Sequence, residues 1–295
     1  MNEHELIIFA QWHMRCAILR YASRESCILS VRILADILGR LGIPAIPLAT
    51  GALALNEAAL TKHKAGEEFA DDDEAFGHRC IHEGISDDKW YKGHVVLIAG
   101  GRYLCDTSAD QFAHPEKDLI VLPLTLDLVD AAGLPPGFTI GAFLDGDTTV
   151  GAALPHGGAI SYQAHQEDFS YIDCMDWEDS APGDRLFDAV VETTMGIVDL
   201  YADQPMPDLP QLPAGISAKD RNIKAWELKV IKDLGYTEAE MKEKNEREDE
   251  RNANRRQQQS GIADTDTSML RSMPRVAGRN PYLGPGQVPV KGPKP

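Results

Sequence analysis

Apolar residues recur at helical spacing from the start of the chain. Over Glu5–Arg20, Leu6, Ala10, Met14 and Ala17 fall along one side of a helix. A second helix is predicted over Cys27–Leu41, where Cys27, Val31, Leu34, Leu38 and Leu41 share one stripe. Ser23 or Ser26 can cap it, and Gly42 with Pro44 beyond it makes a natural stop. The pattern then changes period. "IPAIPLATGALAL" reads as a strand with its prolines near the start, "HRCIH" as a short strand, and "GHVVLIAGGRYLCDTS" as a hairpin turning at Gly100-Gly101. "DLIVLPLTL", "GFTIGAFL", "TTVGAAL" and "AISYQAH" are further predicted strands, and "AGEEFADDDEA" is a solvated acidic loop. No internal repeat is present.

The pattern shifts again near residue 183. "GDRLFDAVVETTMGIVDLYAD" predicts a helix that closes the globular part, so a first domain spans 1–205. Residues 206–216 form a Pro-rich linker. A charged helical segment follows over 217–259, with Thr237 and Glu240 spaced for a capping box. Its later part carries almost no apolar face, so it is expected to stand in solvent or bind a partner. Residues 260–295 are rich in Gly and Pro and read as a flexible tail that a partner could order.

Composition narrows the function. A formal net charge of −17 repels phosphate backbones, which argues against nucleic acid as a ligand of the whole chain. No apolar run approaches the roughly 18–20 residues that span a bilayer. The N-terminus lacks the pattern of a secretory signal, so a cytoplasmic, intracellular protein is expected, with a virion component compatible. The five cysteines (16, 27, 80, 105 and 174) are odd in number and form no CxxC pair, which argues against a disulfide framework and a standard zinc site. No GxxxxGK[ST] or GxGxxG occurs, and no cofactor is expected.

Chemistry concentrates on Cys27. A free cysteine on an apolar stripe usually packs as a small hydrophobe. Here, however, it begins a helix, where unpaired N–H groups and the helix dipole favour a thiolate. Such a nucleophile needs a base and an orienting group. The hairpin offers both: His94 opens its first strand and Asp106 closes its second. A loop of Ala99-Gly100-Gly101 would pair Ile98 with Arg102, Val96 with Leu104 and His94 with Asp106, all on one face. A loop of the two glycines alone would turn Asp106 to the other face. In the first register His94 takes the Cys27 proton while Asp106 holds the imidazole tautomer. An oxyanion hole would use the Cys27 N–H and a second donor such as Gln11 or Trp12, and nothing in the sequence fixes which. Gln111 is another polar candidate, and Asp110 is the substitute for Asp106 if the register differs.

This order of Cys, His and Asp resembles the transglutaminase-like branch of the papain-like fold, which also includes the arylamine N-acetyltransferases. "SCILSVRILADILGRLGIPAIP" is similar to that family's nucleophile helix and following strand. "GHVVLIAGGRYLCDTSADQF" is similar to its His strand, turn and Asp strand. The likeness covers roughly residues 5–125. Val96 stands where the family commonly has an aromatic, and so does Ser26. The resemblance implies an α+β domain with N-terminal helices packed on an antiparallel sheet. It also implies acyl-group chemistry at a thiol: amide hydrolysis, amide exchange or acyl transfer on a peptide, amide or acyl donor.

Two other readings stand beside it. In one, the fold is reused without catalysis for assembly, with the C-terminal helix and tail docking a partner protein, for example in a larger particle. In the other, His78, Cys80 and His82 alternate along a strand and share a face that could hold a metal. Residues i and i+4 of a strand lie about 13 Å apart, which fits one tetrahedral centre poorly.

Overall fold

The computed structural model describes residues 1–22, 24–67, 74–86, 89–130, 134–213, 232–243 and 246. They fall in two units, one within Met1–Ser217 and one within Ala218–Arg279. Ser23, most of the acidic loop, most of the charged segment and all of the tail lie outside the described residues.

The first unit is α+β. Helix α1 (Glu3–Ile18) starts at a capping box in which the Asn2 side chain accepts from the Glu5 N–H and the Glu5 carboxylate accepts from the Asn2 N–H. Helix α2 (Cys27–Arg40) follows, then strand β1 (Ala45–Leu55). Next come α3 (Glu57–Ala65), β2 (Gly77–Cys80), β3 (Gly84–Ile85), β4 (Tyr91–Lys92), β5 (His94–Ala99), β6 (Tyr103–Asp106) and β7 (Leu124–Asp127). The first unit continues through α4 (Ile140–Leu144), β8 (Thr149–Ala153), β9 (Ala159–Ala164), α5 (Met175–Glu178) and α6 (Arg185–Tyr201). A seven-stranded antiparallel sheet runs in the order β7-β6-β5-β1-β9-β8, with β2 also pairing with β1; β3 and β4 form a separate small ladder. Among the described residues no helix is long and apolar enough to cross a membrane.

Strand β5 is buried on both faces, which explains its uninterrupted apolar run. Val95, Leu97 and Ala99 point into one core with α1, α2 and α6, while Val96 and Ile98 point into a second core on the other face. Helix α2 is itself buried nearly all round: Val31, Leu34 and Leu38 of the expected stripe are joined by Ile28, Ile33 and Ile37. It packs against α1, α6 and strands β5 and β1. Truncating one of these to alanine costs about 2–5 kcal/mol through lost burial and the cavity left behind.

Three departures from the sequence pattern have physical causes. "GFTIGAFL" is a helix rather than a strand, because the Thr139 hydroxyl caps the Ala142 N–H and starts a turn that the β-branched residues alone disfavour. Helix α3, absent from the sequence reading, is launched by Asn56 accepting from the Ala59 N–H. The Pro-rich stretch is packed as far as it is described: Met206 and Leu209 lie on the first core and the Trp12 Nε1–H donates to the Pro210 carbonyl at 2.6 Å. In the second unit the expected capping box forms, with the Glu240 N–H donating to Thr237 Oγ1 at 3.2 Å and the Thr237 N–H to Glu240 Oε2 at 2.7 Å.

Candidate active site

Cys27 is the first residue of α2, half-buried at the edge of the helix-side core. Ser26 occupies the N-cap position, yet its hydroxyl makes no capping bond. It accepts instead from Arg15 Nη1 at 2.8 Å. Arg15 is fully buried in α1 and anchors the start of α2. Its guanidinium also donates to Ser30 Oγ at 3.3 Å and the Arg24 carbonyl at 2.8 Å, and pairs both ways with Asp110 at 2.8 and 2.9 Å. Two consequences follow. The entry to α2 is fixed by a neutralised, fully hydrogen-bonded ion pair. The first-turn N–H groups around Cys27 are also not consumed by a side-chain cap, since the helix ladder begins only at the Ser30 N–H on the Ser26 carbonyl.

His94 and Asp106 meet as the hairpin requires, but by a different register. The structure pairs Ala99 with Tyr103, Ile98 with Leu104 and Leu97 with Cys105, so the loop is Gly100-Gly101-Arg102. The expected pairing of Ile98 with Arg102 does not form. Both glycines take positive φ, 58° and 64°, a turn that side-chain-bearing residues resist. Continued one step, this ladder puts Asp106 opposite Val96 rather than His94. The slip is two residues from expectation, so parity is kept and the two side chains still share a face as diagonal neighbours. They bond directly, His94 Nε2 to Asp106 Oδ2 at 2.8 Å, with relative exposures of 1% and 0%.

The carboxylate is held from several sides. The Tyr162 hydroxyl on β9 donates to Oδ2 at 2.7 Å and the Ser108 N–H to Oδ1 at 3.1 Å. The imidazole is boxed by Phe112, edge-on at 5.0 Å, and by Tyr162, stacked at 6.3 Å. Burial works against a charge on this ring, but the Asp106 carboxylate and its hydrogen bond, aided by a hydrogen bond with Cys27, outweigh it and raise His94 to about 10. Gln111 Nε2 faces the other ring nitrogen, Nδ1, at 2.9 Å.

The remaining sequence candidates are placed elsewhere. Gln11 is 2% exposed and spends its amide donating to the Asp106 carbonyl at 2.9 Å and the Leu124 carbonyl at 3.1 Å, while Thr125 donates to its oxygen. It braces the strand end. Trp12 is bonded to Pro210, Asp110 is the counter-ion of Arg15, and Gln111 lies on the imidazole. None of the three suggested side chains is a free oxyanion donor. His78, Cys80 and His82 do not converge: His78 Nδ1 meets His114 Nε2 at 3.2 Å, and His82 Nε2 meets Asp168 Oδ2 at 2.5 Å. Among the described residues no group of three His, Cys, Asp or Glu is arranged to hold a metal ion. Burial pushes the thiol of Cys80 up to about 12 and that of Cys174 up to about 11, so both stay protonated beside Cys27.

Set against models of known protein families, characterised proteins and solved structures, the chain matches none of them. Its site must be judged on its own geometry. Sequence reasoning missed Arg15, Tyr91 and Tyr162. For Arg15 a signal existed: Gln11 and Arg15 are polar residues four apart on a helix face that is otherwise buried. Tyr91 lies three residues before His94 with no pattern that marks it, and Tyr162 is brought to the pair only by the strand order.

Proposed function

We propose that this protein carries out cysteine-dependent acyl-group chemistry, with Cys27 as nucleophile, His94 as base and Asp106 as orienter. The observation that carries the reading is the buried His94–Asp106 hydrogen bond of 2.8 Å, on a ring whose proton affinity Cys27, the first residue of α2, helps to raise. With Nε2–H committed to Asp106, Nδ1 is the nitrogen that accepts the Cys27 proton. The resulting imidazolium is stabilised by the buried carboxylate, and the thiolate by the first turn of α2. The thiolate sulfur then adds to a carbonyl carbon, and the His94 proton goes to the leaving amine as the C–N bond breaks. Water or an amine takes the acyl group in the second half. This order of groups resembles transglutaminase-like enzymes. The substrate class is a peptide, amide or acyl donor.

The test is thiol reactivity against pH. Iodoacetamide should alkylate Cys27 before the four other cysteines, and should do so already at neutral pH. His94→Ala should remove that advantage. If Cys27 labels no faster than Cys80 or Cys174, the enzyme reading is wrong and the fold serves a non-catalytic, partner-binding role.

A further inference from the structure

Acyl transfer at Cys27 places a negative charge on the substrate oxygen, and the donors suggested by sequence are all spoken for. One buried donor is not. Among the described residues the Tyr91 hydroxyl is shielded from solvent and has no hydrogen-bond partner. The other orphaned hydroxyls are those of Thr107, Ser170 and Thr194, and Tyr91 is set apart from them by where it lies. Its ring folds over Gly93, the residue before His94: a Cβ there would meet the Tyr91 oxygen at 2.9 Å and its ring carbons at 3.0 Å. Gly93, with φ 157°, is the residue that lets the ring lie so close to the histidine strand. Tyr91 and Cys27 both pack against the helix-side core, and Tyr91 crosses Tyr171 edge-on at 5.9 Å, which fixes the ring's plane.

Resting on the acyl-transfer reading above, we propose that Tyr91 is a catalytic residue whose hydroxyl, together with the Cys27 N–H, hydrogen-bonds the oxyanion of the tetrahedral intermediate. The thiolate adds to the carbonyl carbon, the C=O π pair moves onto oxygen, and these two donors receive it. When the pair returns, the C–N bond breaks and the amine leaves with the proton from His94. A buried donor with no resting partner is what such a role requires, because its acceptor exists only during the reaction. Burial is the largest influence on this phenol and, with the nearby Asp168, Cys27, Cys80 and Tyr171, keeps it protonated at working pH, so it remains a donor.

Two reactions at one sulfur separate the possibilities. p-Nitrophenyl acetate acylates a thiol through an oxyanion, whereas iodoacetamide alkylates it by displacement at a CH2 group and forms none. In the full-length protein, Tyr91→Phe should slow single-turnover acetylation of Cys27, read as the p-nitrophenolate burst, by about 100-fold. Alkylation of Cys27 should keep its wild-type rate and pH profile. The thermal midpoint should stay equal or rise, since the hydroxyl removed has no partner. Acetylation at the wild-type rate in Tyr91→Phe overturns the assignment. So does a parallel fall in alkylation, which would mean that Tyr91 positions the thiol instead. If the wild type itself neither acetylates nor selectively alkylates at Cys27, the triad reading fails first and Tyr91's role falls with it.

Discussion

Two histidine–carboxylate pairs in the first unit invite comparison. His94–Asp106 is 2.8 Å long with exposures of 1% and 0%; His82–Asp168 is 2.5 Å long with exposures of 14% and 20%. By distance alone the second would rank as the stronger site. The difference lies in what surrounds each pair. Asp106 is also held by Tyr162 and Ser108, and the proton affinity of its histidine is raised by Cys27 as well as by Asp106. His82 stacks on a second imidazole, His165, at 3.9 Å, and Asp168 takes the Ser170 N–H at 2.8 Å in a surface loop. A short bond between ionisable side chains is thus not itself a catalytic signature; what sets the first pair apart is its full burial and the Tyr162 and Ser108 bonds to its carboxylate.

The sharpest way to break this comparison is to delete each histidine in turn. His94→Ala should lower the rate of Cys27 acetylation by p-nitrophenyl acetate by about 1,000-fold or more, as loss of a base does in triad enzymes. His82→Ala should leave it within about threefold, because the reaction scheme gives His82 no proton to carry. Equal losses in the two variants would remove the distinction between the pairs.

Deleting the carboxylates contrasts stability in the same way. Asp106→Ala strands a buried imidazole that favours its charged form and should cost about 3–5 kcal/mol by chemical denaturation. Asp168→Ala, in a partly solvated pair, should cost about 1 kcal/mol or less.

How far the sequence revealed these two regions is itself uneven. The stripe Cys27, Val31, Leu34, Leu38 identified α2 and the placement of Cys27 because helix periodicity is a local property. His94 and Asp106 were legible as partners because side-chain parity along a hairpin survives an error of two in register. The loop length was not legible, since Gly-Gly-Arg and Ala-Gly-Gly turns are equally permitted by composition. Nor was the role of Asp110, which depends on a salt bridge to Arg15 across 95 positions of chain. The alternation of His78, Cys80 and His82 suggested a metal face; tertiary partners 36 and 86 residues away claim the two histidines instead.

The two regions should also respond to pH with opposite sign. Burial acts to lower His94, but Asp106 and Cys27 raise it from 6.5 to about 10, so the folded ring binds its proton more tightly than the unfolded one. Its stabilisation is complete below pH 6.5 and is lost as pH rises through about 10. His165 is lowered from 6.5 by burial and then by His82, so its contribution is present above that value and lost as pH falls below it. Denaturation midpoints of the wild type should therefore sag at both ends. His94→Gln should flatten the alkaline limb and His165→Gln the acid limb. An alkaline limb unchanged in His94→Gln would mean that the ring is neutral in the folded protein.

The smallest effect tests how the histidine is poised within its own pair. Gln111 Nε2 faces His94 Nδ1 at 2.9 Å, the nitrogen that accepts the Cys27 proton in the proposed scheme. An amide N–H donated there opposes the protonation that Asp106 favours and competes with the thiol. Proton transfer then requires the amide to swing away or to present its oxygen. Removing the competitor in Gln111→Ala should raise the ring's proton affinity by the worth of one hydrogen bond, about 1 kcal/mol, and so favour its ion pair with the thiolate. Alkylation at pH 6 would then speed up by up to about tenfold. Acetylation need not follow, because a ring that holds its proton more tightly gives it up less readily to the leaving group. A shift in the opposite direction would mean that Gln111 accepts from a charged ring, and so belongs to the machinery that forms the thiolate rather than to a brake upon it.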